Sequence, residues 1–157
     1  MAKKPCEQWT EERVASFIGK GKTLNQILEI KDVSADDRIW CATRFLTDKQ
    51  NRAFTIWCAR QCETKLPEIK AYIDTIEKFY KGEATPEELD AADGVAYGAA
   101  GGAASRAAYW AAYWAAYGAA GGAASWAASW VAYGAAGGAA MRNRQIKKLL
   151  SMIGGVK

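Results

Sequence analysis

The sequence predicts an all-α protein, a compact multi-helix bundle, and three observations lead to that prediction. Short segments begin with residues that typically cap helices, apolar residues then recur at helical spacing, and no run alternates convincingly between apolar and polar side chains as a half-buried strand would. A chain of 157 residues, half of them hydrophobic, is long enough to bury a core. We therefore expect one structural domain made of helices.

The first part of the chain, residues 1–92, is predicted to be a series of short helices. A Ser or Thr side chain can accept a hydrogen bond from an otherwise unpaired amide of the first helical turn. The segment Thr85-Pro86-Glu87-Glu88 combines such a cap with proline at the first helical position, and Lys81-Gly82 before it is expected to end a helix. Helix starts are predicted after five residues: Thr10, Thr23, Ser34, Thr47 and Thr85.

A four-residue repeat dominates the second part, residues 93–141, and predicts tightly packed Ala/Gly-rich helices. From Ala96 onward the sequence divides into eleven tetrads of the type AYGA, ASRA or AYWA, with alanine first in each and last in all but one. Alanine is the best helix former. Four residues overshoot one helical turn by about 40°, so no single face of a straight helix can hold the pattern. We expect shorter helices, or a segment enclosed by the first 92 residues.

Three glycine clusters interrupt this repeat and can be interpreted in two ways. They either mark helix turns, which leaves helical stretches at 103–117 and 123–133, or they allow close helix contact as packing floors for aromatic side chains. We expect helices packed through small faces, with breaks at one or more clusters. The predicted packing-floor residues are Gly98, Gly102, Gly118, Gly122, Gly134 and Gly138.

Aromatic residues recur every four positions in the same tetrads. Rows of rings would form a binding site for a flat ligand such as a nucleobase, with an arginine placed to meet a phosphate. The alternative is that the rings fill core space that alanine leaves empty, as aromatic stripes at helical spacing usually do. The candidate ligand-binding residues are Arg106, Tyr109, Trp110, Tyr113, Trp114, Trp126 and Trp130.

The last part, residues 142–157, is predicted to be a basic amphipathic helix. Residues 94–157 carry six basic side chains and no acidic one, and five of the six lie in this last part. We expect its apolar face, which includes Ile146 and Leu149, to dock on the bundle while Arg142 and the other charges stay in water. Contact with an anionic membrane, nucleic acid or an acidic partner is the alternative, although the sequence gives no strong nucleic-acid signal.

No catalytic residue, metal site or cofactor is predicted. The chain has no histidine, which excludes histidine-dependent triads and histidine-ligated metals, and it contains neither a P-loop nor a nucleophile-elbow motif. Cys58 and Cys62 are four residues apart and would share one helix face, as zinc ligands can. Their spacing to Cys41 and Cys6 fits no zinc module, so buried free thiols are the preferred interpretation.

A cytoplasmic protein is expected, because the start of the chain has no apolar signal region and the cysteines suit a reducing compartment. Residues 107–141 carry no charge and are long enough to span a bilayer. They consist mainly of alanine, glycine, serine and aromatic residues. Alanine and glycine contribute little insertion energy compared with leucine, so a membrane span is disfavoured.

The segments ADDRIWCATRFL, FTIWCARQC and KGEATPEEL, followed by the alanine-aromatic tetrads, together resemble an immunity protein family. This family comprises alanine- and tryptophan-rich helical proteins found beside bacterial toxin genes and in phage genomes. The resemblance covers about residues 34–142, and this chain departs from the family by its glycine clusters. No catalytic residues are carried over from it.

The resemblance implies a non-enzymatic protein of immunity or counter-defence type that neutralises a target by holding it. The first expectation for the target is a protein effector or toxin. The alternative is a small nucleotide immune signal, sequestered in an aromatic pocket with an arginine. A structural or weakly nucleic-acid-binding protein, or a homo-oligomer, is a further possibility, and the absence of recognisable catalytic motifs favours binding over catalysis.

Overall fold

The computed structural model describes residues 10–19, 21–62, 66–117, 121–134 and 138–154, and these residues confirm the all-α prediction. Within these ranges there is no strand, and the helices pack through many contacts between elements that are distant in sequence. The helices in chain order are α1 (Glu11–Ile18), α2 (Leu24–Leu28), α3 (Ala35–Thr43), α4 (Asp48–Arg60), α5 (Pro67–Lys81), α6 (Pro86–Ala99), α7 (Ala103–Tyr117), α8 (Gly121–Gly134) and α9 (Gly138–Gly154).

The predicted helix starts are confirmed one by one. A side-chain oxygen at each predicted cap accepts a hydrogen bond from an amide in the first turn of the helix that follows. At α5 the predicted end is also present, since Gly82 adopts a left-handed conformation with φ of 76°, which glycine reaches without steric cost. The capping residues are Thr10, Thr23, Ser34, Thr47 and Thr85.

Helices α7 and α8 form an antiparallel hairpin, which is the central unit of the bundle. Only three residues of sequence separate the two helices, and the ring of Trp110 in α7 lies against the ring of Trp130 in α8. The alanines of both helices from residue 107 onward whose side chains the structure describes are buried, together with Val131, so the two backbones approach closely. Alanine is therefore the interface residue of this hairpin as well as a helix former.

The overshoot of each tetrad is visible in the exposure of the tyrosines on α7. Tyr109 is 4% exposed, Tyr113 is half-buried, and Tyr117 is 46% exposed. Equivalent positions of the repeat thus rotate from the core towards solvent along one helix, as a step of about 40° per tetrad requires.

Other helices cover the inner side of the hairpin. Helix α4 packs against both α7 and α8, α5 packs against α7, and α3 and α9 pack against α8. Tyr80 on α5 also fixes the end of α7, because its hydroxyl lies 2.7 Å from the carbonyl oxygens of both Ala115 and Ala116. Carbonyls in the last turn of a helix have no partner within the helix, so this contact satisfies them.

Helix ends fall within all three glycine clusters, in keeping with the expected breaks. Helix α6 ends at Ala99, α8 runs from Gly121 to Gly134, and α9 begins at Gly138. The two boundaries drawn from composition, at residues 92 and 141, both fall inside helices, α6 and α9 respectively. The composition changes at these two residues, but each lies within a continuous helix.

None of the helices in the described ranges has both the length and the apolar character needed to cross a membrane.

Candidate functional site: a tryptophan cleft

Four indoles from the α7–α8 hairpin line an open cleft of about 360 Å³, which we call the tryptophan cleft. Its lining is Trp110, Trp114, Trp126 and Trp130, so four of the seven predicted ligand-binding residues come together here. All four occupy the third position of their tetrads. The antiparallel hairpin therefore converts a periodic sequence into a cluster of indoles, two contributed by each helix.

One end of the tryptophan cleft is closed by ring contact. The indoles of Trp110 and Trp130 are stacked, with ring centroids 6.2 Å apart and planes 24° from parallel. Trp130 also meets Tyr133 edge to face at 6.4 Å. Both geometries are typical of stabilising aromatic pairs, and the contact between Trp110 and Trp130 joins α7 to α8.

The other end of the tryptophan cleft is open. Trp126 is 60% exposed, and within the described part of the chain it makes no ring contact. The Nε1 atom of Trp114 has no access to solvent and donates to no described group. Since an atom that faced the open cleft would meet water, the N–H edge of this indole is turned inward, away from the opening.

Two predicted residues support the cleft without lining it. Tyr113 lies edge-on to both Trp110 and Trp114, at 5.6 and 5.7 Å between centroids. Tyr109 belongs to the core and stacks on Tyr72 at 6.1 Å. Burial raises the pKa of the Tyr109 hydroxyl, and the neighbouring Asp93 carboxylate raises it further.

The predicted arginine is not part of the cleft lining. Arg106 lies one turn before Trp110 on α7, is exposed, and donates from Nη1 to the carbonyl of Gly101 at 3.0 Å. No charged side chain is among the lining residues, so the cleft offers aromatic faces but no ionic partner.

The packing-floor prediction is wrong at Gly98 and Gly102. A Cβ atom at either position would meet no described atom within 4 Å, so neither glycine carries a described aromatic ring. Gly122 does face a neighbour, but the neighbour is the guanidinium of Arg44, 2.9 Å from the position of a Cβ, rather than an aromatic ring.

The remaining glycines have different surroundings. Gly138 approaches backbone, since a Cβ there would lie 2.8 Å from the carbonyl oxygen of Ala132. Gly134 is the last residue of α8. Gly118 lies outside the described residues.

Arg142 departs from its predicted place in water, because it is part of a polar network beside the hairpin. Its side chain is 14% exposed and pairs with the carboxylate of Asp36 on α3. It also donates to Ser129 Oγ at 3.4 Å and to Gln145 Oε1 at 3.3 Å. Burial lowers the pKa of Arg142 while Asp36 opposes that shift. The network joins α9 to α3 and α8 and leaves this arginine engaged within the chain.

Gln145 completes the network and was not singled out from the sequence. It is fully buried and donates to the carbonyl of Ala128 at 2.9 Å. A polar residue placed between apolar positions of a predicted amphipathic helix is the only signal that would have suggested it.

Cys58 is buried in the core, and Cys62 is partly buried against it. Burial raises the pKa of the Cys58 thiol and raises that of Cys62 to about 11, so the thiolate form that binds metals is disfavoured at both. Among the described residues no three His, Cys, Asp or Glu side chains form a group that would hold a metal ion. Cys6 lies outside those residues.

Comparison with known proteins gives no relative: no protein-family model, no curated protein and no solved structure matches this chain.

Proposed function

We propose that this chain is a non-enzymatic binding protein of immunity or counter-defence type that neutralises a protein effector or toxin by holding it. The tryptophan cleft is the surface that makes the contact. This proposal agrees with the expectation drawn from the sequence segments that resemble immunity proteins.

The observation that carries the proposal is a cluster of four indoles, two of them substantially exposed, on a rigid hairpin. Trp126 is 60% and Trp130 36% exposed, although tryptophan is usually well buried in a folded protein. Tryptophan is the residue most typical of the few positions that supply most of the binding energy in protein interfaces. The inner side of the hairpin is packed against α4, so binding requires no rearrangement of the helices that carry the indoles.

The absence of a charged group from the described lining favours a protein partner over a nucleotide. A phosphate loses hydration on binding and needs cationic or amide donors to offset that loss. Arg106 donates to Gly101 and Arg142 pairs with Asp36, so neither of these arginines supports the nucleotide alternative. An interface between proteins needs no ionic partner at its centre, where charged residues are depleted.

The test is affinity capture of a partner protein by the whole chain and by two matched variants. Trp126→Ala removes an exposed indole from the cleft, and Phe45→Ala removes an equally exposed aromatic side chain from outside the lining. The retained protein is then purified and its binding measured by calorimetry with each variant. We expect Trp126→Ala to weaken binding by about tenfold or more, and Phe45→Ala to leave it nearly unchanged. Equal binding by both variants, or retention of a small molecule in place of a protein, would contradict the proposal.

A further inference from the structure

The two pairs of indoles in the tryptophan cleft differ, although the repeat makes them equivalent in sequence. Trp110 and Trp130 are in contact across the hairpin at 6.2 Å. Trp114 and Trp126 lie four residues nearer the link, one on each helix, yet the described ring contacts include none between them. The antiparallel register therefore gives one closed pair and one open pair on the same face.

We propose that the gap between Trp114 and Trp126 is a stacking site for one planar, uncharged aromatic ring. This inference rests on the proposed function for the nature of the partner, which would supply the ring as a side chain. The preference for a ring follows from the residues that line the cleft.

Shape and the chemistry of the walls favour a planar ring. Indole faces attract other rings in offset or edge arrangements at 4.5–7 Å between centroids, which adds to the effect of area burial alone. A ring placed between Trp114 and Trp126 would give this pair the kind of ring contact that Trp110 and Trp130 make with each other. The cleft volume of about 360 Å³ is at the small end of the range for ligand sites, roughly 300–1,000 Å³, so it suits a single side chain or small heterocycle.

Charge distinguishes among the possible occupants. The sequence from residue 107 to residue 134 contains no charged side chain, and the described lining has none. A carboxylate or phosphate would lose hydration in the gap without meeting a cation. An ammonium group would be attracted to the indole faces, but it would lose hydration without a carboxylate to offset that loss. An uncharged ring has no such loss.

The experiment uses small probes and the whole chain, with the tryptophan indoles labelled with ¹⁵N. The probes are N-acetyl-tryptophanamide, N-acetyl-lysinamide, adenosine and adenosine monophosphate, titrated while the indole resonances of Trp114 and Trp126 are followed by NMR. We expect the two uncharged rings to shift both resonances, the lysine analogue to do so at least fivefold more weakly, and the added phosphate to give no gain over adenosine.

Trp126→Leu is the informative variant, because leucine keeps an apolar side chain but removes the aromatic face. We expect it to weaken probe binding at least fivefold, while Phe45→Leu, at an exposed position outside the lining, leaves binding unchanged. Equal binding by Trp126→Leu, or tighter binding of the lysine analogue or of the monophosphate, would overturn the stacking site.

The two proposals fail separately. If no probe binds but capture of a protein still depends on Trp126, the stacking site is wrong and the proposed function stands. If adenosine binds far more tightly than N-acetyl-tryptophanamide, the ring chemistry is supported and a free small molecule replaces the protein partner.

Discussion

The indole of Trp110 lies against the indole of Trp130 across the α7–α8 hairpin, 6.2 Å away and 24° from parallel. These residues are twenty positions apart, a whole number of tetrads, so the contact ties the register of the repeat to the register of the hairpin. The same register brings Trp114 opposite Trp126 and creates the tryptophan cleft. The register of the hairpin therefore places all four indoles of the site on one face.

Trp130→Ala is expected to lower the free energy of unfolding by about 1–3 kcal/mol, because it removes a partly buried ring and its stacking partner loses that contact. Coupled indole transitions should also disappear from the far-ultraviolet circular dichroism spectrum. Urea denaturation and that spectrum are the measurements, and Phe45→Ala is the control because that aromatic side chain is 60% exposed and lies outside the cleft lining. An unchanged spectrum in Trp130→Ala would show that the two indoles are not stacked in solution.

The all-α class and most helix starts could be predicted from the sequence because their causes are local. A threonine or serine side chain caps the amides that follow it within three residues, wherever the helix later packs. The tetrads likewise predicted α7, since alanine favours helix in any context. Local chemistry is therefore enough to predict the all-α class and several helix boundaries.

The tryptophan cleft could be predicted only in part, because its composition depends on which faces meet. The four indoles were named from spacing, but Tyr109 points into the core and Arg106 turns to Gly101. The sequence also does not reveal that α6 leaves Gly98 uncovered while α9 brings Gly138 onto a carbonyl of α8. Such differences arise from tertiary packing. A repeat with the same residues at each turn does not indicate which turn will pack against a neighbour.

Gly138→Ala is expected to destabilise the protein by about 1–3 kcal/mol, because its new methyl group would lie 2.8 Å from the carbonyl oxygen of Ala132 and backbone cannot easily move aside. Gly94→Ala in α6 is the matched change, since a Cβ there meets no described atom within 4 Å. It should stabilise by up to about 1 kcal/mol through helix propensity. Melting temperatures should move in opposite directions, and a shift of the same sign in both variants would contradict the close contact.

Arg142→Met is expected to lower the free energy of unfolding by about 1–3 kcal/mol, since it leaves the buried Gln145 Oε1 without its donor and removes the link to Asp36. Arg144→Met, on an exposed position of the same helix, should change it by no more than about 0.5 kcal/mol. Chemical denaturation of both variants distinguishes the network from a simple effect of lost positive charge. Equal effects in the two variants would indicate that Arg142 acts only through its charge.

Alkaline pH is expected to destabilise the fold, because buried tyrosine and cysteine side chains keep their protons in the folded chain. Burial raises the pKa of the Tyr72 and Tyr109 hydroxyls and of the Cys58 thiol, and it raises the pKa of Cys62 to about 11. For each of these acids the folded chain holds its proton at a pH where the unfolded chain has released it. The unfolded state therefore binds fewer protons, and the free energy of unfolding falls as pH rises.

The affected window follows from the groups involved. Stabilisation from the neutral side chains is complete below the unfolded pKa of cysteine, about 8.5, and declines above it, with tyrosine contributing from about pH 10. Urea denaturation at pH 7, 8, 9 and 10 should show a flat region followed by a steady loss. Cys62→Ser lacks one of these groups and should lose less stability between pH 9 and 10 than the parent chain. A parallel decline in both proteins would mean that the Cys62 thiol ionises as readily when folded as when unfolded.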